Sequence, residues 1–239
     1  MENIAEDLGL AITVTRKDFL KSIGLGAAAL FCNSTGYCFS EYEDHTEKGI
    51  KGHVFRGEAP KSLWKWSKEG FYYATEGSTV QCLACPNQCV LEPGDRSICR
   101  SKVNIDGKLY SLTYGNPCAV HVDPVEKKPL NHFYPGSLIF SIATTGCNFR
   151  CLNCQNWEIS QKKPEEVRHT ELFPEDVVYE AKKRTISAIA YTYSEPTTFF
   201  EYMFDTARLA RKADIKNVLI SNGYINQSPL FDLSRYIDS

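Results

Sequence analysis

No run of about 18 or more consecutive apolar residues occurs in the 239-residue sequence, so no segment has the pattern of a membrane-spanning helix. Neither sign of charge is in surplus: Lys+Arg 27 against Asp+Glu 29 leaves a net charge of -2. That balance argues against a chain-wide electrostatic grip on nucleic acid. Global disorder is excluded as well, because 43% of the residues are apolar and 23% charged, enough to bury an ordinary core. The length fits one to two domains. What the sequence has in excess is cysteine. Ten are too many for a reducing-compartment enzyme without a metal, and too few for a small disulfide scaffold of this length.

Seven of the ten are clustered: Cys82, Cys85, Cys89 and Cys99, then Cys147, Cys151 and Cys154, with Cys32, Cys38 and Cys118 apart. At this cysteine frequency a C-x3-C-x2-C spacing arises by chance in about two chains in a hundred. Three closely spaced thiols leave one unpaired in any disulfide scheme, and they suit ligands converging on one inorganic centre.

The organisation along the chain follows from composition and periodicity. Residues 1–35 place Thr15-Arg16-Lys17-Asp18-Phe19-Leu20-Lys21 before a short Gly/Ala-rich apolar stretch, Ile23 to Phe31, the pattern of an export leader. Residues 36–70 are polar and charged and form an expected linker, ending in Leu63-Trp64-Lys65-Trp66, whose indoles should dock on the domain. Residues 71–136 are expected to form a Cys-rich metal-binding segment of short strands and turns, with a hairpin at Asp106-Gly107. From 137 to 239 apolar β-favouring runs alternate with helical periodicity. Strands are expected at 138–144, 186–193 and 217–221, and helices at 174–184, 197–213 and 229–236. Such alternation means βαβ units around a parallel sheet, with a partial barrel and a doubly wound sheet both compatible.

Cys147, Cys151 and Cys154 follow directly on the first of these strands, at the sheet edge where α/β folds carry their chemistry. Three thiolates hold three corners of a [4Fe–4S] cube and leave the fourth iron open, which favours catalysis over electron carriage. The stretch Cys147-Asn148-Phe149-Arg150-Cys151-Leu152-Asn153-Cys154 resembles the CxxxCxxC signature of radical S-adenosylmethionine (SAM) enzymes. The resemblance implies a [4Fe–4S] cluster that chelates SAM and cleaves it reductively to a 5′-deoxyadenosyl radical, which abstracts hydrogen from a substrate. It also implies a partial (β/α) barrel. Ser194-Glu195-Pro196 stands where the family has Gly-Gly-Glu-Pro against the SAM amino group, and Ser221-Asn222-Gly223 where it has Thr-Asn-Gly near the carboxylate or ribose. Asn153 replaces the aromatic residue many members stack on the adenine, with an amide hydrogen bond as the substitute. Asp123 to Leu130 (DPVEKKPL), His132-Phe133 with Pro135-Gly136, and Gln155 to Gln161 (QNWEISQ) carry a closer resemblance. It points to the AmmeMemoRadiSam-system radical SAM enzyme, a group related to the pyruvate formate-lyase activating enzyme.

Four further expectations complete the reading. Cys82-x2-Cys85-x3-Cys89-x9-Cys99 supplies four thiols for a second metal site, with zinc, a second iron–sulfur cluster and disulfides as alternatives. Glu126-Lys127-Lys128 is taken as a solvated charge run, and His121 and His132 receive no role. Only about three βα units are present, so the core looks truncated, with an unpaired strand edge and uncovered apolar surface. The leader resembles a twin-arginine signal with Lys17 in place of the second Arg, while SAM and low-potential electrons are cytoplasmic, so retention in the cytoplasm is favoured over export. The implied partners are a reductant such as flavodoxin or ferredoxin and a substrate, small molecule or protein, that the sequence leaves open. The alternative function is an iron–sulfur electron-transfer or metal-binding protein without SAM chemistry.

Overall fold

The computed structural model describes residues 61–239, which lie within one compact unit, Thr46–Ser239. The leader, Cys32, Cys38 and the linker up to residue 60 lie outside the described residues. Strands β1 (Lys68–Glu69), β5 (Lys102–Ile105) and β6 (Lys108–Ser111) form one antiparallel sheet in the order β1-β6-β5. A second antiparallel sheet contains β2 (Tyr73–Glu76), β3 (Thr79–Cys82) and β4 (Val90–Leu91). The hairpin between β5 and β6 turns at Asp106 and Gly107, whose φ values of 50° and 79° are those a tight two-residue turn requires.

The third sheet is the core of the fold, in the order β10-β9-β8-β7. Strands β8 (Leu138–Ala143), β9 (Ala188–Tyr191) and β10 (Lys216–Leu219) are parallel, and β7 (Ala119–Pro124) pairs antiparallel with β8. Helices α2 (Pro174–Lys183) and α3 (Phe200–Lys212) connect the parallel strands, α1 (Trp157–Ser160) is one short turn, and α4 (Gln227–Ser234) follows β10. Pro174 opens α2 where a missing N–H costs nothing, Glu175 and Asp176 sit in its first turn, and Lys182 and Lys183 in its last, as the helix dipole favours.

Alternation along the strands explains why they read as unbroken apolar runs. Phe140, Ile142, Ile189 and Tyr191 point to one face and pack with Val177, Ala181, Met203 and Ala207 of α2 and α3. Ile139, Ala188, Ala190 and Val218 point to the other, covered by Val125, Leu130 and Phe133 from the segment after β7. Both faces are buried.

The small sheets dock on this core through contacts distant in sequence. Trp66 stacks on Phe173 at 5.7 Å, as expected for one of the two indoles, and Trp64 packs edge-on against Tyr110 at 5.5 Å. Tyr72 donates to Asp232 at 2.7 Å, and Lys68 pairs with Asp205. Deepest is Lys102 of β5, whose Nζ donates to both carboxylate oxygens of Glu201 in α3 at 2.6 and 2.8 Å. Their side chains are 2% and 0% exposed.

Three expectations change. Residues 61–70 belong to the folded part rather than to a linker, because Lys61–Trp66 forms a 3-10 helix on the core and β1 follows. The Cys-rich segment gives way to the core sheet well before residue 136, because β7 is an edge strand of that sheet. Its Asp123-Pro124 hides the strand from a propensity reading, although an edge position tolerates proline. The outer edge of β10 is not bare: Asp238 N–H donates to the Asn217 carbonyl and Leu219 N–H to the Ser239 carbonyl, both at 2.8 Å. Apolar surface does remain open beside it, with Leu230 44% exposed in a groove shared with Leu219 and Ile237.

Breaking the Lys102–Glu201 pair from one side leaves an uncompensated buried charge, which costs about 3–5 kcal/mol. Glu201→Gln or Lys102→Met should lower stability by that amount in denaturant unfolding. Replacing both with apolar residues of similar volume should cost clearly less than either single change.

Candidate active site

Each parallel strand delivers a functional segment at its C-terminal end. β8 runs into Thr144-Thr145-Gly146 and the cysteine loop, β9 into Thr192-Tyr193-Ser194-Glu195, and β10 into Ile220-Ser221-Asn222. Cys147, Cys151 and Cys154 share with Ser194, Glu195, Ser221 and Asn222 the lining of a single cavity of ≈ 530 Å³. That volume lies within the range of small-molecule sites, about 300–1,000 Å³. The residues expected at the cluster and SAM site thus line one cavity, with one exception.

The cysteine loop is held from behind. Gly146 N–H donates to the Ile159 carbonyl at 3.0 Å, the Ser160 hydroxyl lies 3.3 Å from Cys154 Sγ, and Gln161 Nε2 donates to the Phe149 carbonyl at 3.0 Å. Gly146 has φ of 99°, and a Cβ there would collide with the Cys99 carbonyl, so the position requires glycine twice over. Burial pushes the Cys147 thiol up to about 11, against the Phe149 N–H that donates to its sulfur at 3.4 Å. Cys151 is exposed, and Cys154 half-buried. Among the described residues no three Cys, His, Asp or Glu side chains are arranged to hold a single ion. Three thiols on the wall of one cavity are the donor set that an iron–sulfur cluster takes from a protein.

Glu195 ties the strand ends together. Its Oε1 accepts from Thr197 N–H at 2.9 Å, Thr197 Oγ1 at 2.7 Å and Ser221 Oγ at 2.8 Å, and its Oε2 from Asn222 N–H at 2.8 Å. Four donors nearly fill a carboxylate's accepting capacity. At 4% exposed, the side chain is a brace between β9 and β10 before it is a ligand. Ser194 Oγ donates to the Thr144 carbonyl at 2.7 Å and closes the same ring of strand ends towards β8. Asn148 adds a link by accepting from Asn222 Nδ2 at 2.9 Å and donating to the Tyr224 carbonyl at 2.8 Å.

Asn153 is the exception. It is exposed and absent from the cavity wall, where Asn156 takes a place instead and donates to the Tyr193 carbonyl at 2.8 Å. The solvated-run reading of Glu126-Lys127-Lys128 also fails at one residue. Lys127 and Lys128 both line the cavity, but the Lys128 side chain is only 2% exposed; it pairs with Asp123 at 2.7 Å and stands over the Tyr193 ring at 4.1 Å. The signal was the i, i+4 and i, i+5 spacing of Asp123 with Lys127 and Lys128. Tyr193, missed altogether, has a φ of 65°, unusual for a bulky residue, and its hydroxyl bonds Asp123. His121 is exposed with its ring edge against Tyr193, and His132 is exposed; neither lines the cavity. Cys118 Sγ lies 3.6 Å from the Ala143 carbonyl, away from both clusters.

Burial would raise the Asp123 carboxyl, but hydrogen bonds from Lys127, Lys128 and Tyr193 outweigh it and hold the group well below the usual carboxylate range. A depressed folded-state value contributes stability above the unfolded pKa, about 3.9, and that stability is lost as pH falls towards the folded value. Asp123→Asn should therefore lower stability by a constant amount from pH 5 to 7, with the gap to the parent narrowing below about pH 4. Urea unfolding across that range checks it.

Comparison with known proteins agrees with this geometry. The chain is 46% identical over 160 residues to an uncharacterized protein of Methanocaldococcus jannaschii, a match covering 67% of this chain and 48% of that protein. The chain thus spans about half the length of the curated relative it matches. Residues 141–237 match the radical SAM superfamily, a stretch that starts inside β8 and takes in the cysteine loop and all three strand ends. The α/β core that builds the cavity is a radical SAM superfamily domain.

Proposed function

We propose that the cavity holds a [4Fe–4S] cluster on Cys147, Cys151 and Cys154 with SAM beside it, and that the chain cleaves SAM reductively. The single observation that carries this reading is the shared cavity: three thiols and the ends of β9 and β10 line one space of ≈ 530 Å³. When bound, the cluster supplies one electron and an open iron for the SAM amino and carboxylate groups, so that the sulfonium is cut to methionine and a 5′-deoxyadenosyl radical.

The protein's own groups do the positioning. The Glu195 brace and the Ser194–Thr144 bond fix the three strand ends relative to one another, so that SAM meets a preformed wall. Asn222, exposed at the cavity wall, and the backbone of the 192–195 segment offer polar groups to the SAM methionine moiety. Lys127 and Lys128 both pair with Asp123, and of the two it is Lys127 whose exposed side chain stands where an anionic group at the wall would meet it. Phe149, Ile220 and Pro129 contribute apolar wall that excludes water from a primary carbon radical. The three parallel strands with their helices are read as part of a partial (β/α) barrel. Membership of the AmmeMemoRadiSam-like group, related to activating enzymes, rests on the 123–136 and 155–161 stretches, which now prove to flank the cavity. A flavodoxin or ferredoxin is the proposed electron donor. Among the described residues no helix is long and apolar enough to cross a membrane.

The test is anaerobic reconstitution of the full-length protein with iron and sulfide, addition of SAM and dithionite, and assay of 5′-deoxyadenosine. Cys151→Ala is the decisive variant, because Cys151 is exposed and its loss should change stability by no more than about 0.5 kcal/mol. It should nevertheless reduce 5′-deoxyadenosine to background. An intact cluster that yields no product, and whose spectrum does not respond to SAM, would establish the electron-carrier alternative.

A further inference from the structure

The four cysteines of the small sheets have no part in that chemistry. Cys82 ends β3, Cys85 and Cys89 lie on the turn into β4, and Cys99 lies on the turn before β5. The first turn is closed by Cys82 N–H donating to the Cys89 carbonyl and Gln88 N–H to the Cys85 carbonyl, both at 3.0 Å. All four are free thiols, and Cys82, Cys89 and Cys99 are buried. Strands and turns thus bring residues spread over 18 positions to the wall of one small cavity, shared with Lys102 and Asn148.

The spacing of the thiols distinguishes between occupants. Zinc–thiolate bonds are about 2.3 Å, so four sulfurs gathered on one zinc stand close together. Among the described residues no three potential ligands are set for a single ion. Thiolates of an iron–sulfur cluster bind separate irons and surround a larger body. The surroundings suit an anionic, thiolate-ligated cluster. Lys102, paired with Glu201, lies at the wall, and the Ser97 hydroxyl lies 2.9 Å from Cys99 Sγ, placed to donate to sulfur, while Ser101 gives its proton to the Thr198 carbonyl. We propose that Cys82, Cys85, Cys89 and Cys99 hold an iron–sulfur cluster of their own, closed by four protein ligands and adjoining the Cys147 loop.

The adjacency is direct. The Cys99 carbonyl packs on Gly146, the residue before Cys147. Asn87, between Cys85 and Cys89, donates to the Asn148 carbonyl at 2.9 Å, and the Asn148 side chain lies between Asn222 and the Tyr224 carbonyl. Asn148 therefore lines the small cavity and bonds Asn222, which lines the larger one.

The proposal stands whether or not the chain cleaves SAM, and its test removes that chemistry. The full chain with Cys147, Cys151 and Cys154 all changed to Ala is purified anaerobically and analysed for iron, zinc and acid-labile sulfide. About four irons and four sulfides per chain are expected, with a reduced-cluster electron paramagnetic resonance signal that SAM does not alter. One zinc without sulfide, or no metal, overturns the proposal. Should that variant not fold, the unaltered chain is compared with the Cys82→Ser, Cys89→Ser double variant. The iron content should fall about two-fold while the spectral response to SAM persists, and an undiminished iron content overturns the proposal.

Discussion

The buried pair of Lys102 and Glu201 is the contact on which the arrangement of the molecule depends. Neither charge is tolerable where it lies without the other, so β5 and α3 must meet with both heads in register. Fixing that register does two things at once. It brings the cysteine-bearing turns against the loop that follows β8, and it holds the start of α3. Glu195 lies only six residues before Glu201, on the far side of a 3-10 turn, Pro196–Phe199. The small sheets thereby back the cysteine loop, with the Cys99 carbonyl against Gly146 and Asn87 bonded to the Asn148 carbonyl. Glu201 also accepts from Phe71 N–H at 3.2 Å, so the same carboxylate anchors the strand region on either side of β2.

Within the core, the geometry separates residues that brace from residues that present. Glu195, Ser194 and Asn148 spend their polar atoms on other strand ends, and their burial leaves little capacity for a ligand. Cys151, Asn222 and Lys127 are exposed at the cavity, where a ligand can reach them even though Asn222 and Lys127 also bond within the protein. This division is what pre-organisation requires: a wall whose rotamers are locked by bonds within the protein, carrying a few groups free to meet the ligand.

The parallel part of the fold was legible because it is buried on both faces. Val218, Ile189 and Ile142 lie in continuous apolar runs, and such runs need no partner information to be recognised. β7 was not legible, since its Val120, Asp123 and Pro124 make sense only once β8 is seen to cover one edge and leave the other open. The cysteine loop was readable because its chemistry is local in sequence. Asn153 was misplaced because its role was carried over from the family's aromatic position before the third cysteine; here the chain turns at that point, and Asn156 lines the cavity instead. Lys128 was misread because its partner, Asp123, is also bonded by Tyr193, some 70 residues on. Long-range contacts of that kind leave no trace in a single sequence.

The separation of Lys102 from Glu201 by 99 residues, and of Tyr72 from Asp232 by 160, bears on the order of events during synthesis. Chain closure over such spans is slow and waits for the later segment to exist. The turns bearing Cys82, Cys85, Cys89 and Cys99 therefore leave the ribosome well before α3 can close over them. Until then their thiols are not enclosed by Thr197 and Thr198, which wall the same cavity just ahead of that helix.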